Sequence, residues 1–316
     1  MALFVLAMVP LGLLVGSVLS MVATRVPDEL PVFTPGPSCP GCEHQLGASE
    51  LIPIVSWVRQ GRCCLHCDAR ISAAYPVIEV VTATLFVLLA LEFEASWFLI
   101  PHLVLGAALV ALSVTDLYLY RIPDRIVFPT LGVSAALIVA VSLIVDKPDT
   151  IVPAFAGMIG YFALMFVVWF IYPPGIGFGD VKLALLLGLF LGWTANGDII
   201  FAAVFVAYAL FLGCLIFVLM SGVIIFARSR GIDLLPDPLE EEYIGSASHD
   251  EDSHYEDSHY EDDEDDDEYD ETDYELERGA GDIDDGAERK VHTGAPMGPA
   301  LAIGTLILIF FPGSFV

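Results

Sequence analysis

The sequence predicts an all-α polytopic membrane protein of about eight transmembrane helices, with a small cytoplasmic cysteine-rich insert and a disordered acidic cytoplasmic loop. Three observations predict it. The 316 residues are 56% apolar and their mean hydropathy is positive, far from the composition of an ordinary soluble domain. Apolar runs of spanning length recur along the chain. The polar residues that remain gather into two blocks rather than spreading over a surface.

The runs lie at 3–23, 77–91, 98–115, 126–145, 151–172, 199–226 and 297–315, with a shorter one at 181–193. Each is expected to be a helix, because in lipid only helices and closed barrels satisfy every backbone N–H and C=O internally. The first run has no cation before it and is followed by Arg25 rather than by a small-residue cleavage site, so it is expected to stay as an anchor. Five regions follow: a first transmembrane anchor at 1–23, the cysteine-rich insert at 24–76, a membrane core at 77–226, the acidic loop at 227–296 and a last transmembrane helix at 297–316.

Charge is concentrated in the acidic loop. Residues 240–290 hold 25 Asp or Glu against three Lys or Arg, which is −22 of a formal net charge of −28. Such a block cannot bury enough apolar surface to offset the entropy of ordering, and is expected to be a disordered spacer. Nothing in the distribution of Lys and Arg forms a nucleic-acid footprint, so no nucleic-acid partner is expected. Orientation follows from the same cations. With 24–76 placed inside, every Lys and Arg except Lys147 is cytoplasmic, as the bias of short loops requires. The N-terminus then lies outside.

Cys39-Pro40-Gly41-Cys42 and Cys64-Leu65-His66-Cys67 are two C-x-x-C knuckles with 21 residues between them. Four thiolates on two tight turns suit tetrahedral zinc, and a metal supplies folding energy that a short polar insert lacks. Cytoplasmic thiols stay reduced and available to it. Cys63 with Cys67 would make a C-x3-C pair instead. The commoner C-x2-C spacing favours Cys39, Cys42, Cys64 and Cys67 as the structural zinc ligands. Cys214, within an apolar run, is expected to be a packing residue.

Asp116 follows the run that ends at Thr115, and Asp180 closes Gly175-Ile176-Gly177-Phe178-Gly179-Asp180. An acidic residue at a span margin is expensive unless it faces a partner or a cavity, so it is a functional candidate by default. Two carboxyls around one water form the acid–base pair of an aspartic peptidase, since close like charges share one proton. Asp116 is also open to a solvated loop reading. Asp124, after Pro123 and before an apolar run, reads as a helix N-cap. Lys182 is open to steadying Asp180 or to snorkelling at the interface. Glu79 is a polar residue inside a span that composition leaves unexplained, or a second polar anchor.

These residues resemble the type IV prepilin peptidase family. The resemblance rests on the two knuckles, on Tyr75-Pro76-Val77-Ile78-Glu79, on Asp116 through Ile122-Pro123-Asp124, and on Gly177-Phe178-Gly179-Asp180-Val181-Lys182. It covers roughly residues 1–230 and the final span. It implies an aspartic endopeptidase of a prokaryotic inner or plasma membrane, with Asp116 and Asp180 as the catalytic pair facing the cytoplasm. The partners it implies are prepilin or pseudopilin substrates within the lipid bilayer. Members with the cysteine insert also imply N-methylation of the new N-terminus with S-adenosylmethionine as the donor. Two rival readings are a presenilin-like intramembrane aspartic protease and a non-enzymatic zinc-containing scaffold or transporter.

Overall fold

The computed structural model describes residues 2–26, 31, 36–39, 42, 44–47, 49–67, 69–173, 176–195, 197–230 and 296–310. The acidic loop expected at 227–296 therefore lies almost wholly outside the described residues. The helices in chain order are α1 (Ala2–Arg25), the short α2 (Val55–Arg59), α3 (Ala74–Phe93), α4 (Leu99–Leu119), α5 (Asp124–Ile144), a 3-10 turn (Pro148–Thr150), α6 (Ile151–Ile171), α7 (Phe178–Thr194), α8 (Ile199–Ser229) and α9 (Gly298–Ile309). Among the described residues there is no strand, only two isolated bridges in the insert.

Six of these helices, α1, α3, α4, α5, α6 with its 3-10 turn, and α8, are long and apolar enough to cross a membrane. The other two apolar runs form shorter helices of 17 and 12 residues. At ~1.5 Å per residue these reach about 26 Å and 18 Å, short of the ~30 Å hydrocarbon core. Beyond Lys182, helix α7 is apolar all round, and Leu186 through Thr194 are buried without interruption. A helix of that kind belongs inside a bundle rather than against lipid.

Small residues set how closely the helices meet. A Cβ on Gly157 of α6 would stand 2.5 Å from the Gly188 carbonyl oxygen of α7. A Cβ on Gly16 of α1 would come within 2.7 Å of the Glu79 Cα of α3. Without a hydrophobic force between spans in lipid, backbone approach of this kind is what holds them together. At one end of the bundle, Trp193 Nε1–H donates to Ser142 Oγ at 3.0 Å, and Ser142 shares a 2.9 Å hydrogen bond with the Thr150 hydroxyl. That chain ties α5, the 3-10 turn and α7. The catalytic candidates occupy the other end.

One open alternative closes here and one expectation changes. Asp116 lies within α4, one turn before its end, and is buried, so it is not a loop residue. Cys214 is exposed on α8 rather than packed, because most of that helix faces outward from the bundle.

Candidate active site

Asp116 and Asp180 reach the same end of the bundle on antiparallel logic: α4 delivers Asp116 in its last turn, and α7 opens with Phe178, Gly179 and Asp180. Each is 7% exposed, and they are electrostatic neighbours. One of the two carboxyls is anchored by a glycine N–H. Gly298, the first residue of α9, donates to Asp116 Oδ2 at 2.9 Å. Gly177 is the N-cap of α7, and the Asp180 N–H donates to Gly177 O at 3.1 Å, closing the first turn around the carboxyl. Asp180 Oδ1 is buried with no hydrogen-bond partner.

Ile122 is the spacer between the two helix starts. A Cβ on Gly179 would lie 2.9 Å from Ile122 Cβ, and one on Gly298 would lie 3.3 Å from Ile122 Cδ1 and 2.8 Å from Asp116 Oδ2. Both positions must be glycine for the three segments to meet. The residue before a proline is held extended, which explains why Ile122, ahead of Pro123, leaves α4 and projects here. Sequence reasoning missed Gly298 and Ile122. Only the Gly298-Pro299 step before an apolar run marked a helix start, and nothing local tied it to Asp116.

Asp124 is not an N-cap. Pro123 occupies that place with an extended backbone, Asp124 is the first helical residue, and no side chain caps α5. Its carboxylate is therefore free to accept from Lys182 Nζ through Oδ1 at 2.6 Å and Oδ2 at 2.7 Å. Lys182 also lies over the Phe178 ring, 5.1 Å from its centroid. It thus clamps α5 to α7 rather than steadying Asp180.

Glu79 is buried in α3, and its Oε2 accepts the Ile54 N–H from the insert at 2.7 Å. Ile54 stands at φ 60, a left-handed conformation that costs a β-branched residue on the order of 1–3 kcal/mol. The bond ties the insert to α3.

The insert brings Cys39, Cys42, Cys64 and Cys67 together with all four sulfurs within 4.8 Å of one another. Each knuckle is closed by backbone: Cys39 N–H to His44 O at 2.9 Å, and Cys64 N–H to Ala69 O at 2.8 Å. Cys39 Sγ to Cys67 Sγ is 3.7 Å, and Cys42 Sγ to Cys64 Sγ is 3.9 Å. Four Zn–S bonds of 2.3 Å in a tetrahedron give edges of about 3.8 Å, so the donor set fits zinc. Disulfide sulfurs would be far closer. The His66 N–H, with help from that of Cys67, pulls the Cys64 thiol down to about 6 against the effect of burial. Cys63 instead sits in the bridge with Arg70, outside the cluster.

Two family models match the chain: the Bacterial Peptidase A24 N-terminal domain over residues 11–93 and the Type IV leader peptidase family over residues 103–227. Among similar curated proteins is a "Prepilin leader peptidase/N-methyltransferase" of Myxococcus xanthus, 34% identical over 204 residues, 64% of this chain and 60% of that protein. Proteins of the same name from Bacillus subtilis and Stutzerimonas stutzeri are 35% identical over 57% of this chain and 71% of theirs, and 34% identical over 60% and 74%. No solved structure matches. The two domains adjoin in the order in which the structure pairs the cysteine insert with the aspartate-bearing bundle, and on these matches the chain belongs to the type IV leader peptidase family.

Proposed function

We propose that the chain is a prepilin leader peptidase that removes the N-terminal leader of type IV prepilins and pseudopilins at the cytoplasmic face of a prokaryotic inner membrane, using Asp116 and Asp180. The observation that carries this is the pair itself. Two buried carboxyls, far apart in sequence, meet at one end of the bundle: Asp116 is pinned through Oδ2 by the Gly298 N–H, and Asp180 keeps a buried Oδ1 without a hydrogen-bond partner, which suits a shared proton and a water. The orientation with the N-terminus outside rests on the cation distribution.

In the reaction the pair holds one proton. The ionised carboxyl takes a proton from water as its oxygen bonds to the scissile carbonyl carbon, and the protonated carboxyl gives its proton to the carbonyl oxygen. Collapse of the tetrahedral intermediate breaks the C–N bond: the leaving amine receives a proton from the carboxyl that first acted as base, and one hydroxyl of the intermediate returns its proton to the other carboxyl, which leaves a carboxylic acid product and a pair that again holds one proton. No covalent acyl-enzyme forms. The Gly298 N–H fixes the Asp116 carboxyl before substrate arrives.

Cys39, Cys42, Cys64 and Cys67 would hold a structural zinc ion that folds the insert; it takes no part in hydrolysis. The relatives' names include N-methyltransferase, and we extend to this chain methylation of the new N-terminal amine. S-adenosylmethionine is the methyl donor such an activity uses, and no residue of the chain is assigned to it. The intramembrane protease reading is disfavoured by the two family matches, which cover both the insert and the core.

Co-expression with a prepilin, followed by mass measurement of its N-terminus, tests the reading. Loss of the leader is expected, with a gain of one methyl group if transfer follows. An intact leader beside well-expressed, inserted enzyme would sink it.

A further inference from the structure

The insert is bonded directly to a membrane span. Helix α3, Ala74–Phe93, is 20 residues long, and at ~1.5 Å per residue this is about the thickness of the ~30 Å hydrocarbon core. Glu79 lies five residues inside that helix, so its Cα is about 7–8 Å past the helix start, and its side chain leans back toward that start. The Ile54 N–H donates to its carboxylate at 2.7 Å. The chain around Ile54 is therefore held against the first two turns of α3, close to the level where lipid headgroups meet acyl chains.

The side chains there suit that level. Leu51, Ile52, Val55 and Val58 are 36%, 46%, 57% and 64% exposed, four large apolar groups within eight residues of an otherwise polar insert. Arg59 and Arg62 follow and are exposed. The Arg62 guanidinium stacks over Trp57, 4.8 Å from the ring centroid, and the Trp57 indole N–H donates to Ile71 O at 3.2 Å. Apolar groups with an aromatic ring and cations at their edge form the amphipathic pattern of a segment lying in a bilayer interface. The cations complement anionic headgroups. Val77, Val80 and Val81 of α3 are likewise exposed, so apolar surface continues from the span onto the insert.

We infer that residues Leu51–Arg62 form an interfacial element that rests in the membrane, with Leu51, Ile52, Val55 and Val58 in the acyl boundary and Arg59 and Arg62 on anionic lipid phosphates. Glu79 is the positioning residue that sets its depth through Ile54. The cysteine cluster is then fixed on the bilayer surface at the same end as Asp116 and Asp180, since α4 returns to the end from which α3 departs.

The test places a nitroxide, carried on a keto amino acid, at Ile52, Val55 or Gln45 of the full chain in lipid nanodiscs, and compares collisions with oxygen and with a water-soluble nickel chelate. Monodisperse elution of each labelled protein verifies folding. Labels at 52 and 55 are expected to favour oxygen several-fold over the label at exposed Gln45. Replacing Glu79 by Leu is expected to move the label at 52 toward water. Phosphatidylglycerol discs should hold the labels deeper than phosphatidylcholine discs, and Arg59→Gln with Arg62→Gln should abolish that difference. Equal chelate access at all three positions overturns the inference. So does shielding of the 52 label from both reagents, which would mean a protein contact. Equal depth in the two lipids overturns the anionic headgroup.

Discussion

The Gly298 N–H donates to Asp116 Oδ2 at 2.9 Å across 182 residues of sequence. That bond makes the start of the last helix part of the site, and it fixes the rotamer of a carboxyl that α4 alone would leave free to turn. A Cβ at 298 would stand 2.8 Å from the same oxygen. Gly298→Ala is therefore expected to displace the carboxyl, and a misplacement of about 1 Å can lower the rate by ~10²-fold. Initial rates of leader removal at matched membrane levels measure this. Cleavage by Gly298→Ala at the parent rate would remove the role given to the contact.

Asp116→Asn and Asp180→Asn should each lower cleavage by ~10²–10⁴-fold, and the double variant should be little worse, because a shared proton makes the two one unit. The same mass assay of a co-expressed prepilin reads both. If one variant cleaves normally while Asp124→Asn is dead, that assignment fails and Asp124 takes its place.

The Lys182 and Asp124 pair behaves otherwise. Its side chains are 21% and 52% exposed, and an exposed pair contributes at most about 1 kcal/mol. Asp124→Asn, Lys182→Met and their combination should each retain cleavage to within about fivefold of the parent. Loss comparable to that of Asp116→Asn would show that the clamp does chemistry.

For the insert, elemental analysis of purified protein should find one zinc per chain. Cys63→Ser should keep the metal, while Cys64→Ser or Cys39→Ser should lose it, because only the latter two belong to the group of sulfurs within 4.8 Å. Stripping the metal with a chelator should expose the insert to protease, since binding energy here is folding energy. Retention of zinc by Cys64→Ser alongside its loss from Cys63→Ser would reverse the ligand set.

The membrane class, the knuckles and the two aspartates were legible because each is a local pattern: an apolar run, a spacing, or a charge where lipid forbids one. The count of spans was less so. Run length cannot tell a helix facing lipid from one enclosed by others, and α7 is enclosed. Asp124 was misread because Asp after a proline suits both the cap and the first helical turn, and Lys182, which decides between them, is 58 residues away. Glu79 lacked an account for the same reason: its partner Ile54 belongs to the insert. Gly298 and Ile122 act through contacts between distant segments, which no window along the chain contains.

The bond from Gly298 also governs when the enzyme comes into being. A ribosome adding about 5–20 residues per second needs roughly 10–40 s to pass from Asp116 to Gly298. During that interval α4 through α8 can enter the bilayer with both aspartates present, yet Asp116 has no anchor. A nascent chain should thus remain proteolytically silent beside its neighbours in the translocation machinery, and activity should switch on only when α9 docks.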